Sequence, residues 1–74
     1  MHSDIQRLKD EYRQLVSEYV DAVHKQEMAR LEALPSPSSE VTAEWLRACD
    51  NAEQINKRRL EAQYRLRAAL TLKA

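Results

Sequence analysis

Seventy-four residues carry twelve Lys and Arg against twelve Asp and Glu, no Gly, two Pro and one Cys. A lone Cys closes no intrachain disulfide, and the absence of Gly excludes Gly-rich phosphate loops, the dinucleotide-binding fingerprint and most tight turns of β proteins. Ten of the hydrophobic residues are Ala, so few large side chains are left to build a core, and a chain this short is expected to draw stability from a partner subunit.

In chain order, Ser3 with Gln6 three residues later forms a capping-box pattern that starts a helix over residues 3–34. Pro35 ends it, because the residue before a proline is steered out of helical geometry. Leu34-Pro35-Ser36-Pro37-Ser38-Ser39 is the single interruption, giving a loop over 35–39. A Ser between 36 and 39 caps a second helix over 40–72, with Pro37 or Glu40 in its first turn and Lys73 at its negative end. Helices of about 30 residues are ~45 Å long, and a short connection returns the second alongside the first. The expected fold is all-α, an antiparallel two-helix hairpin forming one domain over residues 1–74 and dimerising into a four-helix bundle.

The seam follows from spacing. On the first helix Ile5, Leu8, Tyr12, Leu15, Tyr19 and Val23 recur at steps of three and four, with Val16 beside them. On the second, Val41, Trp45, Ala48, Ala52, Ile55, Arg59, Ala62, Leu66 and Ala69 keep a coiled-coil alternation. Folding about the loop pairs residues whose numbers add to about 74, which sets Tyr12 against Ala62 and Tyr19 against Ile55, large against small. Two charged residues fall on the seam. Arg30 lands opposite Trp45, where a guanidinium can lie over the indole, and Arg59 lies near Leu15 and Tyr19 with its head reaching outward.

The two flanks of the hairpin are expected to differ. One carries Glu11, Glu18, Ala22 and Ala29 with Arg47, Arg58 and Arg65, and pairs Arg58 with Glu18 and Arg65 with Glu11. The other is apolar, with Val20, His24, Met28 and Leu31 from the first helix and Trp45, Leu46, Cys49, Leu60 and Tyr64 from the second. Two helices have no third layer to cover such a patch, so these nine residues are the candidate dimer- or partner-binding site.

Chemistry finds little support. His24 and Cys49 share the apolar side, but nothing supplies an oxyanion hole or a carboxylate to orient the imidazole, so no catalytic site is expected. Asp21 and His24 mimic the carboxylate-x-x-His step of di-metal bundles, near Glu27 and Glu53. Asp21, however, points away from the seam, so neither metal nor other cofactor is expected. Lys57, Arg58, Arg59, Arg65, Arg67 and Lys73 make the end of the second helix basic. The neighbouring helix brings Asp4, Asp10, Glu11 and Glu18 beside them, and no aromatic stacking platform interleaves, which argues against nucleic acid.

No apolar run approaches the ~20 residues that span a bilayer, and Met1-His2-Ser3-Asp4 does not open a signal peptide. With an unpaired Cys49, the protein reads as cytoplasmic. In size, two helices and a Pro-rich turn it is similar to small bacterial or phage-encoded helical hairpins. These include secretion-system co-chaperones, needle-type subunits and phage proteins that disable host regulators. The resemblance transfers no functional residue. The expected function is a non-enzymatic adaptor or inhibitor, homodimeric and directed at another protein, with an assembly role in secretion as the alternative and nucleic-acid binding as a further one.

Overall fold

The computed structural model describes residues 2–34 and 38–73, with side chains over 4–34 and 38–72. Two helices, α1 (His2–Ala33) and α2 (Ser39–Lys73), pack antiparallel along their length. The hairpin is a rod of 54 × 14 × 13 Å. Its 16.6 Å radius of gyration exceeds the ~11 Å of a globular chain of this length.

The helix ends follow local chemistry. Ser38 is the N-cap of α2: its Oγ accepts a hydrogen bond from the Val41 N–H at 3.2 Å, and its carbonyl accepts the Thr42 N–H at 3.0 Å. Glu40 sits in the first turn, where the helix dipole favours a carboxylate. Ser38→Ala should therefore cost about 1 kcal/mol, read as a lowered urea midpoint by circular dichroism. At the end of α1, the Leu34 N–H donates to the Leu31 carbonyl at 3.3 Å, closing a tight last turn. The first helix begins at His2, one residue earlier than the capping box implied; the side chains of Ser3 and Lys73, and all of Pro35, Ser36 and Pro37, lie outside the described residues.

The α2 seam runs as its spacing indicates: all nine positions from Val41 to Ala69 are buried or half-buried. The α1 seam departs from expectation after Tyr19. It continues by three to Ala22 and then through Gln26, Ala29 and Ala33, all buried or half-buried, with Val16 and Val23 half-buried beside it. Ala22, at 3% exposure, and Ala29 thus belong to the seam and not to the charged flank. The physical reason is close approach. Ala22 shares a layer with Ala52, also buried, and two Ala in one layer bring the backbones nearer than a Val would permit.

Gln26 and Arg59 are the polar members of the seam. Arg59 lays its guanidinium over the Tyr19 ring, Cζ 5.1 Å from the centroid. Its Nε and Nη2 both donate to Asn56 Oδ1, at 3.0 and 2.7 Å. The stem packs while the head turns to a partner on its own helix.

Candidate functional site

Once the α1 seam is set by Ala22, Gln26, Ala29 and Ala33, the 100° advance per residue assigns every other position a direction. The first flank carries the charge. Arg65 Nη2 donates to Glu11 Oε1 at 2.7 Å across the hairpin. Arg58 and Glu18 line the same groove without closing an ion pair. The interhelical bridge between two half-exposed side chains contributes at most about 1 kcal/mol, and its use is to favour the observed alignment.

The opposite flank is the more apolar one, with Arg13, Glu27 and Glu53 interspersed on it. Val16, Val20 and Val23 lie on the α1 side of it, and Leu46, Cys49 and Leu60 on the α2 side. Val16, Val23 and Cys49 are half-buried beside the seam, whereas Val20, Leu46 and Leu60 stand exposed. The same flank carries exposed Leu34 toward the loop and Leu70 toward the termini, two positions that sequence reasoning passed over.

The nine residues expected to form one face divide among four directions. Val20, Leu46, Cys49 and Leu60 share the apolar flank. Trp45 is a seam residue, half-buried, bordering a crevice with Arg30, Ala33, Leu34 and Thr42. His24, Leu31 and Tyr64 each fall midway between two seam residues of their own helix, so they project from the back of the hairpin; all three are exposed. Met28, also exposed, leans from the back toward the charged flank.

Two expected details differ. Arg30 borders the same crevice as Trp45 but turns its guanidinium along α1, where Nη1 donates to Glu27 Oε2 at 3.2 Å. The i, i+3 partner on the same helix is reached with less loss of side-chain freedom than the indole across the seam. The Trp45 Nε1 is buried and has no hydrogen-bond partner. An unpaired buried donor costs about 1–3 kcal/mol, so it is burial of the ring that holds Trp45 in place.

His24 and Cys49 point in different directions, one exposed on the back of α1 and the other half-buried beside the seam. Among the described residues no group of three or more His, Cys, Asp and Glu side chains converges as a metal ion would need. None of the described helical sequence is long and apolar enough to cross a membrane.

The most telling quantity is area. The chain exposes 5920 Å², against about 4,700 Å² for a compact monomer of this mass. Among the described residues the buried hydrophobic ones are Leu15, Ala22, Ala33, Ala52 and Ala62, and no large side chain is fully enclosed. Val20 is 60% exposed and Tyr64 68%. The chain matches no family model, and neither a curated protein nor a solved structure matches it.

Proposed function

We propose that the protein is a non-enzymatic helical-hairpin interaction module, which self-associates into a four-helix bundle and acts as an adaptor or inhibitor of a regulatory protein in the cytoplasm. The observation that carries this reading is the mismatch, among the described residues, between a seam whose buried members are Leu15 and four Ala and a surface that exposes Val20, Met28, Tyr64 and six Leu. The excess of about 1,200 Å² over a compact monomer is more than the ~800 Å² that each partner brings to a standard interface. Covering the apolar flank with a second hairpin supplies the layer that two helices lack. His24, Leu31 and Tyr64, on the back, remain outside such a bundle and form the surface that a regulatory protein would meet.

Sedimentation equilibrium across a wide concentration range tests the self-association. Wild type should form dimers, and Leu60→Asp, which puts a carboxylate into the apolar flank, should weaken them by at least about 30-fold, because a buried unpaired charge costs 2 kcal/mol or more. Leu60 is exposed within the hairpin, so the variant should keep its helical circular dichroism. A wild type that stays monomeric, or a Leu60→Asp protein that associates like wild type, would refute the reading.

A further inference from the structure

The geometry points to one arrangement of the pair: two copies stack by their apolar flanks about a two-fold axis perpendicular to the rod, with α1 antiparallel to α1 and α2 antiparallel to α2. This rests on the self-association proposed above and assigns its register.

The placement of side chains on each helix locates the axis. On α1, Arg13 and Glu27 lie seven residues before and after Val20, which puts all three on the same flank. An axis through Val20 brings Arg13 of one copy against Glu27 of the other, twice per dimer, and sets Val16 against Val23. On α2, Leu46 and Leu60 lie seven residues before and after Glu53. An axis at that level brings Leu46 and Cys49 of one copy against Leu60 of the other. The antiparallel alignment of the hairpin, held by the Glu11 to Arg65 bridge and the Arg59 to Tyr19 contact, places Val20 and Glu53 within about 7 Å of the same height on the rod. The two helices therefore mark the same axis, one by opposite charges and the other by apolar pairs. That height is within about 4 Å of the middle of the rod, so the copies overlap almost completely and cover the flank from end to end.

The alternative stacking, with both loops at the same end and α1 facing α2 of the other copy, is less complementary. It sets Arg13 against Leu60, Glu27 against Leu46 and Val20 against Glu53, each a charge on an apolar side chain. In the favoured stacking Glu53 meets its own copy on the axis, and its exposure lets the two carboxylates splay into water.

Two measurements on the full chain test the register. Arg13→Glu and Glu27→Arg should each weaken dimerisation about tenfold by turning two attractions into repulsions, and the double variant should recover most of that loss, short of wild type because the swap also removes the Asp10 to Arg13 and Glu27 to Arg30 pairs. Independently, Leu60→Cys should be joined to native Cys49 of the other copy by a short bis-maleimide, giving a covalent dimer on a denaturing gel. Within one chain those positions are ~16 Å apart along α2 and beyond the reagent. Adding Cys49→Ser should abolish the product, since the two copies of position 60 are ~21 Å apart along the rod across the axis. Rescue by the charge swap together with the Cys49-dependent dimer is the expected result. A wild-type dimer with neither rescue nor cross-link overturns the register and leaves self-association standing. A monomer at every concentration overturns both.

Discussion

Leu15→Ala should lower stability by about 2–5 kcal/mol, the usual cost of emptying a buried Leu site. Leu15, at 9% exposure, is the most enclosed large side chain among the described residues, in a seam whose other buried members are Ala. One kcal/mol corresponds to roughly 4–8 °C in a domain of this size, so the thermal midpoint should fall by at least about 8 °C. The measurement is a circular-dichroism melt at fixed chain concentration, since self-association raises apparent stability by mass action. Gln14→Ala, at an exposed neighbouring position, should change the midpoint by less than about 4 °C. Equal melts for the two variants would mean that the Leu15 layer is not the enclosed centre of the seam.

Ala62→Leu should destabilise the hairpin from the opposite direction, by about 1–3 kcal/mol. Ala62 is 1% exposed and shares a layer with Tyr12, so three added carbons have to displace the ring or part the helices. Helix propensity cannot explain the loss, because Leu is nearly as good a helix former as Ala. The same substitution at exposed Ala68 controls for this and should leave the melt within about 0.5 kcal/mol of wild type. If both variants melt alike, the seam at Ala62 has room to spare, and the close approach inferred for the Ala layers fails with it.

How far the fold is legible in the sequence depends on which side chains carry the signal. In α2 the alternation of four and three holds from Val41 to Ala69 and includes Trp45 and Ile55, so that seam reads correctly even through Arg59. In α1 the bulky residues Tyr12, Leu15 and Tyr19 announce the seam, but beyond them its members are Gln26 and three Ala. Hydrophobicity favours Val23 there, while the requirement for alternating steps favours Ala22, and close packing decides for Ala22. That one-residue shift rotates the flanks. It is why His24 and Leu31 project from the back of the hairpin, and why Leu34, two heptads beyond Val20, joins the apolar flank. The Ser38 cap and the Glu11 to Arg65 bridge were legible because both follow from local or antiparallel bookkeeping alone. The turn of Arg30 toward Glu27 was not, since it depends on the competition between two partners of similar worth.

The nested order of the layers has a kinetic side. Ala33 and Val41 meet across the shortest stretch of chain, Tyr19 and Ile55 across a longer one, and Ile5 and Ala69 across nearly the whole sequence. The entropy of closing a loop rises with the logarithm of its length, so each layer costs least once the layer nearer the turn is already in place. Assembly in this order is a zipper that starts at Trp45 and Ala33 and runs toward the termini, passing Arg59 on Tyr19 before Arg65 reaches Glu11. The same entropy favours opening in the reverse order, with the layers far from the turn parting before those beside it.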